Sequence, residues 1–419
     1  MISYGEAFEK IRGVALSKGE GGLGGRGNRR SPKMLGLGDA IGKIVTDDLY
    51  ARESLPSFDN SAMDGYALQS SLSSGATPEA PLEFTVMGSV AAGDVLIEKP
   101  AAGNYAVEIM TGAPLPEGHC FDAVVRVEDV LLCEGSTHKM FIRHPVKPGA
   151  NIRRKGEDFK EGQILIPSGR KLVPTDVLAL ASLGVSDVPV RRLKVAVIST
   201  GKELVPHTQV TLEPGMIRNS TGPYLMAALE QVGVEAKFYG TVHDEPDRFI
   251  SLMTSLLEEG PDVIITTGAV SVGKYDFILK GLNDLQARIH FHKVAIRPGK
   301  PILFAEFEHG PVCFGLPGNP VSTAVGFRFF VLPYLQAMLG ENLNAPWKAR
   351  LTHDFQKPEG LRCFMKARWH PSPEGSELTI VPGQASFMVS SLLDANAWAI
   401  LPEEGKQLRK GDVVELVLL

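Results

Sequence analysis

Between residues 193 and 340 the apolar positions alternate between two rhythms. "LKVAVIS" (193–199) reads as a strand, 222–232 as a helix and "EAKFYG" (235–240) as a second strand. Phe249, Ile250, Met253, Leu256 and Leu257 then recur at helical spacing and predict an amphipathic helix over 247–259. "DVIIT" (262–266) is the next strand and 275–285 the next helix. Further strands lead through "GPVCFG" (310–315) to a long helix from 320. Repeated strand–helix alternation predicts a largely parallel sheet covered by helices on both faces.

On either side the pattern shortens. From 57 to 155 the runs "EFTVM", "NYAVEIM", "AVVRVEDVLL" and "KMFIRH" are separated by Gly/Pro turns, as in a small all-β domain. Residues 5–16 read as a short helix and "VPTDVLALASLGV" (173–185) as another. "ELTIVP", "AWAILP" and "DVVELVLL" in the last ~75 residues predict a small C-terminal β-barrel. The expected fold class is therefore α/β and multidomain. A parallel-sheet α/β domain at 191–340 would be accompanied by two mainly β domains, 57–155 and 341–419. The segments 1–56 and 156–190 would together form a linking α+β part.

Composition narrows the function classes. At 419 residues the chain is too long for one ordinary core, so two to four domains are expected. Hydrophobic residues make up 44% and charged residues 22%, ordinary for a soluble protein, while 44 glycines and 29 prolines make turns plentiful. A net charge of −5 argues against a general nucleic-acid binder. No apolar run approaches the ~20 residues that span a bilayer, and "MISYGEAFEKI" has no apolar core of a secretory signal. Cys120, Cys133, Cys313 and Cys363 stand far apart, which fits a reducing compartment better than a zinc site or a disulfide framework. The expectation is a cytoplasmic protein. Residues 18–30, "KGEGGLGGRGNRR", contain a formal GxGxxG at Gly22, Gly24 and Gly27. Without a preceding strand it reads as a surface loop rather than a dinucleotide site.

The candidate chemistry lies at the ends of the α/β strands. Three loops follow three expected strands: "STGKEL" (199–204), "TTGAVSVGKYD" (266–276) and "LPGNP" (316–320). Ligands in open parallel sheets collect at strand carboxyl ends, so one crevice could be shared by Ser199, Thr200, Gly201, Thr267, Gly268, Ser271, Gly273, Pro317, Gly318, Asn319 and Pro320. Small residues let backbone approach a ligand, and Asn319–Pro320 is a good cap and first-turn pair for an anion-facing helix. Glycine turns also end many strands without binding anything. Glu203, Asp244 and Asp276 stand beside these loops and suit Mg²⁺, which takes one or two carboxylates plus phosphate oxygens. Taken singly, each carboxylate is better explained as a cap or a solvated charge; their shared position after strands is what favours the functional reading. Lys293, Arg297 and Lys300 in "HKVAIRPGKP" suit an oxyanion, or else form a solvated edge. Arg153, Arg154 and Lys155 beside Glu157 and Asp158 read first as a solvated face. "HFH" (His290, His292) lacks a third ligand, and neither GxSxG nor HExxH occurs.

Several stretches together resemble one family, the molybdopterin molybdenumtransferases or molybdenum insertases, which include the E domain of gephyrin. The matching stretches are "LPSFDNSAMDGYAL" (55–68), "IMTGAPLPEG" (109–118), "NIRRKGEDF", "VAVISTGKELV", "ITTGAVSVGKYDF", "RPGKPILF" and "GLPGNPVS". They follow the family's order and span nearly the whole chain. The resemblance implies an elongated four-part subunit, a homodimer, and a molybdopterin-binding role for the α/β domain. It also implies the reaction of adenylylated molybdopterin with molybdate to give molybdenum cofactor and AMP, with Mg²⁺. By position Asp64, Thr111, Glu203, Asp244 and Asp276 resemble the functional polar residues of the family's cleft. That cleft is expected where the β segment meets the α/β domain, across the dimer. A molybdopterin adenylyltransferase is a conceivable partner.

Three departures surround the expected nucleotide site. Lys202 stands where the family usually has an acid, Ala269 replaces the second glycine of "GGVSVG", and Asn219–Ser220–Thr221 replaces an Asp-Ser/Thr-Asn triplet. Two other functions share parts of the pattern. A molybdopterin adenylyltransferase resembles the α/β segment alone, and a gephyrin-like scaffold would have lost the cleft acids.

Overall fold

Six strands build the α/β sheet: β1 (Lys194–Thr200), β2 (Glu235–Val242), β3 (Val263–Thr267), β4 (Arg288–His292), β5 (Leu303–Glu306) and β6 (Val312–Leu316). Their order across the sheet is β2-β1-β3-β6-β5-β4. The first four are mutually parallel. The last two run antiparallel to their neighbours, so the expectation of a largely parallel sheet gives way at this edge. The reason is connection length. Helices Thr221–Val232 and Pro246–Glu259 supply the crossovers that parallel neighbours need. Only residues 307–311 join β5 to β6, closed by the Phe307 amide donating to the Pro311 carbonyl at 3.0 Å, and such a link can only make a hairpin.

This computed structural model describes residues 1–20, 32–94, 103–116, 120–132, 138–243, 245–268, 277–341, 345–372 and 375–419. They form two units: Met1–Asp47 with Ser168–Val173 and Asp187–Leu419, and Asp48–Pro167 with Pro174–Ser186. The GxGxxG at Gly22, Gly24 and Gly27 and the thiol of Cys133 lie outside the described residues, whereas Lys18, Gly19 and Glu20 belong to a helix, Tyr4–Glu20, longer than the 5–16 expected. Among the described residues no helix is long and apolar enough to cross a membrane.

Within the first unit, Val195, Ala196, Val197 and Ile198 of β1 are buried on both faces, which is why this strand carries no polar alternation. One face packs Phe249, Met253 and Leu256 of the Pro246–Glu259 helix, together with Ile278 and Leu282. Full burial of such a side chain contributes roughly 1.5–3 kcal/mol. The other face packs Leu225, Leu229, Phe330, Tyr334 and Leu335, with Ala7 and Ile11 of the N-terminal helix. The helical run from 320 is not one α-helix. Pro320–Gly326 and Leu332–Leu339 are separated by a π-helical turn, Phe327–Val331, in which the Leu332 amide donates to the Phe327 carbonyl. Pro333 has no N–H for the carbonyl four residues back and its ring crowds it, so the turn widens.

The C-terminal strands close on themselves. Arg362–Ser372 pairs with Gly375–Ile380, which pairs with Trp347–Leu351, then Val413–Leu418, then Ala397–Leu401, and back to Arg362–Ser372. Closure removes the sheet edges, and Leu378, Ala399, Leu401 and Leu416 fill the interior. The strand Ile296–Arg297 adds to this barrel beside Arg362–Cys363.

The second unit is built on a six-stranded sheet in the order Ala123–Arg126, Gly65–Leu68, Tyr105–Ile109, Leu82–Val90, Lys139–Ile142, Val130–Leu132. The run "AVVRVEDVLL" is interrupted at Val127–Asp129 by a 3₁₀ turn because its two halves lie at opposite edges of this sheet. Gly65 fixes the centre. A Cβ there would overlap the Val125 carbonyl on the adjacent strand. Gly65→Ala must therefore push two paired strands apart. The expected loss is at least the 1–3 kcal/mol typical of overpacking, about the lower end being enough to move the urea midpoint measurably without changing the slope. An unchanged midpoint would show that the strands can yield.

Candidate functional site

The parallel strands β1, β2, β3 and β6 all end on one edge of the sheet. Ser199 stands opposite Thr267, Thr267 opposite Leu316, and Thr200 opposite Val242. The three glycine loops consequently begin side by side. A Cβ on Gly268 would overlap the Thr200 carbonyl, and one on Gly318 would come within 3.4 Å of the Gly268 Cα. Gly268 also has φ near +93°, a left-handed conformation that L side chains rarely adopt. The glycine is required there by contact and by conformation together.

Beneath the loops lies a hydroxyl network. Ser199, Thr200, Thr267, Thr221 and Asn219 are buried. The Thr200 hydroxyl donates to the Thr267 carbonyl at 3.0 Å, the Thr221 and Thr267 hydroxyls lie 3.1 Å apart, and Thr267 donates to the Ser199 hydroxyl at 3.3 Å. Asn219 Oδ1 accepts from the Gly222 amide at 2.9 Å at the start of the Thr221–Val232 helix. The side chains of Ser199, Thr200 and Thr267 thus brace the loops from inside. Several amides are committed as well: Gly201 donates to Val242, Gly268 to Leu316 and Val321 to Ser386.

Polar groups facing outward from these loops include Lys202, Glu203, Gly318 and Asn319, all exposed. The Glu203 carboxylate occupies the space above Gly201, both oxygens 2.8 Å from where a Cβ would stand. It has no ion pair or hydrogen bond among the described residues, so its oxygens are available to a hard cation. Asp244, Ser271, Gly273 and Asp276, with Ala269, lie outside the described residues. Among the described residues no group of three or more His, Cys, Asp or Glu side chains is placed to hold a metal ion.

The cationic loop joins this edge. Gly299 comes within a side chain's reach of the Ser322 carbonyl on the helix that Pro320 begins, 3.5 Å from a notional Cβ. Arg297 and Lys300 are exposed and Lys293 is half-buried. The Val294 amide donates to the Lys300 carbonyl and the Lys293 amide to the Ile302 carbonyl, both at 2.9 Å, which fixes the loop at its neck. By contrast His290 pairs with Glu306 at 3.0 Å and stacks on Phe304, as ordinary strand content would. Burial pushes the Cys313 thiol up to about 12, so it is inert as a nucleophile or ligand.

In the second unit Asp64 stands just before the strand that Gly65 begins, and its Oδ1 accepts from the Thr111 hydroxyl at 2.7 Å and the Thr111 amide at 2.6 Å. These two donors, the hydroxyl foremost, hold the exposed Asp64 carboxyl below the usual carboxylate range. Arg154 reads from the sequence as part of a solvated face. Here it bonds Asp59, which also accepts from the Lys155 amide at 2.8 Å. Strand Ile152–Arg153 pairs with Asn60–Ser61. The stretches "NIRRKGEDF" and "FDNSAMDGYA" are therefore one structural piece, and Asp59, Arg154 and Glu157, whose carboxylate accepts from the Arg154 amide at 2.8 Å, hold it together.

The chain matches three family models: "MoeA N-terminal region (domain I and II)" over residues 2–184, "Probable molybdopterin binding domain" over 196–337, and "MoeA C-terminal region (domain IV)" over 348–419. It is 41% identical over 388 residues to a molybdopterin molybdenumtransferase of Synechococcus elongatus, spanning 91% of this chain and 93% of that protein. A molybdopterin molybdenumtransferase of Staphylococcus epidermidis is 36% identical over 92% of this chain and 90% of its own length. Among solved structures, a molybdopterin biosynthesis MoeA protein from Pyrococcus horikosii superimposes with a TM-score of 0.79 at 30% identity, covering 98% of both chains.

Thr111→Val tests the Asp64 geometry, since it deletes the hydroxyl donor and keeps the amide. A depressed carboxyl pKa contributes stability that is present above the ordinary value of about 3.9 and is lost as pH falls through the folded-state value. The variant should titrate Asp64 at higher pH than the wild type, read from its carboxyl carbon shift by NMR. Coincident titration curves would mean that the hydroxyl contributes nothing.

Proposed function

The chain belongs to the molybdopterin molybdenumtransferase family, and from that premise we propose that it takes molybdopterin in its adenylylated form, inserts molybdenum from molybdate and releases AMP. The observation that carries this reading is the meeting of two features on one sheet edge: an exposed carboxylate at Glu203, unpaired among the described residues, over a glycine loop, and the Arg297–Lys300 loop against the start of the Pro320 helix.

The residues divide the work. Exposed cations on a braced loop suit a tetrahedral dianion, so Arg297 and Lys300, with Lys293 at the loop's neck, would receive molybdate. Glu203, with Asp244 and Asp276 as the resemblance implies, would hold Mg²⁺, a hard cation that fits an oxygen donor set. That ion, when bound, supplies charge neutralisation on the oxygens of the linkage between the pterin's phosphate and AMP. Asp64, kept anionic by Thr111, is an acceptor that stays charged across the neutral range. The substrate's own dithiolene sulfurs take up the metal, so no protein thiolate is required; Cys313 and Cys363 are buried and Cys120 is exposed, in no metal-holding group among the described residues. A stand-alone adenylyltransferase would have no use for the Asp64 unit or the C-terminal barrel. On this reading the working species is a cytoplasmic homodimer.

The test is AMP release from adenylylated molybdopterin and Mg²⁺, with and without molybdate. Release that requires molybdate is expected, and Glu203→Gln should lower it by roughly 10–100-fold, the scale of losing a residue that supports a metal. Consumption of ATP in place of AMP release would turn the reading to an adenylyltransferase. Absence of either reaction would leave a binding protein.

A further inference from the structure

The loop 383–391 does more than connect two barrel strands. It is fastened from below by Lys366, a lysine only 1% exposed. The Lys366 ammonium donates to the Gly383 carbonyl at 2.6 Å, the Met388 carbonyl at 2.9 Å and the Ser391 hydroxyl at 2.6 Å. All three acceptors are neutral, and burial holds the lysine below its usual range. Gln384 adds a second fastening: its Oε1 accepts from the Lys366 amide at 3.0 Å, and its Nε2 donates to the Lys366 and Val381 carbonyls at 2.8 and 2.7 Å. The top of the loop reaches the candidate cleft, where the Ser386 carbonyl accepts from the Val321 amide in the first turn of the Pro320 helix at 3.1 Å.

A buried cation with no carboxylate bonded to it among the described residues is a costly way to hold a surface loop, and positions 383, 384, 386, 388 and 391 are all tied. Between them stands Phe387, 68% exposed. A single exposed apolar side chain needs no explanation. An aromatic ring held out on a rigid loop, one residue from a carbonyl that caps the helix beside exposed Gly318 and Asn319, is different. It offers a flat, preorganised face beside the loops proposed to take a substrate whose pterin carries a planar pyrimidinone ring.

We propose that Phe387 is a substrate-recognition residue whose ring stacks on the pterin of the incoming nucleotide. The proposal rests on the function given above. Stacking on an aromatic side chain is sequence-tolerant chemistry that needs only a π-face. It would orient the pterin while the charged groups at Arg297 and Lys300 receive the oxyanion.

The experiment measures equilibrium binding of adenylylated molybdopterin, without molybdate, and of AMP alone to full-length wild type, Phe387→Ala and Phe387→Tyr. Because the ring is exposed, neither substitution should disturb folding, and an unchanged urea midpoint checks this. Phe387→Ala should weaken binding of the pterin nucleotide by roughly tenfold, at the lower end of what base stacking gives. AMP affinity should be unchanged, and Phe387→Tyr should restore the pterin affinity. Unchanged affinity in Phe387→Ala, with wild type releasing AMP normally, would overturn the proposal and leave the function standing. Equal losses for both ligands would also overturn it, since the contact would then be with the nucleotide half. Wild type that binds AMP but not the pterin nucleotide would overturn both.

Discussion

The structure turns on one close approach, that of Gly268 to the Thr200 carbonyl. Two parallel strands of a sheet are held about 4.8 Å apart by their ladder, but the loops leaving them are free to diverge. Here they cannot, because the Gly268 amide bonds to Leu316 on one side while its α-carbon sits against Thr200 on the other. Gly318 then packs against Gly268. Three loops from three strands are thereby fixed at one point, and the hydroxyls of Ser199, Thr200, Thr221 and Thr267 lock them from below. The exposed groups Lys202, Glu203 and Asn319 inherit their positions from this packing.

The second unit solves a similar problem by similar means. Gly65 admits the Val125 carbonyl, the adjacent Asp64 is aimed at Thr111, and Arg154 ties Asp59 from a separate stretch of chain. In both units a candidate carboxylate stands next to a glycine. Glu203 lies over Gly201 and Asp64 precedes Gly65.

Much of this was legible in the sequence where the physics is local. β-branched runs gave the α/β strands, helical spacing gave Phe249, Met253 and Leu256 as a buried face, and strand-end glycines marked the three loops that pack together. The antiparallel edge was also readable, since five residues between β5 and β6 cannot hold a crossover, but alternation alone suggested parallel pairing. Pro333 carried the signal for the π-helical turn. What could not be read were pairings between distant residues of ordinary type. Arg154 meets Asp59 across 95 positions, and nothing in "IRRKGED" distinguishes it from a solvated run. Lys366 looks like a break in the strand "RCFMKARW" and is instead fully buried under a loop that begins 17 residues later. Ser199, Thr200 and Thr267 were expected as ligand contacts, and burial places their hydroxyls inside the loops they brace.

The most direct measurement is AMP binding by Gly268→Ala, followed calorimetrically alongside its urea unfolding. If the contact between Gly268 and Thr200 holds the crevice together, the added methyl must separate the loops. AMP affinity should then fall at least tenfold, and stability by about 1–2 kcal/mol or more from the left-handed conformation alone. A variant that unfolds at the wild-type midpoint and binds AMP as tightly would mean that the crevice is organised by something other than this contact.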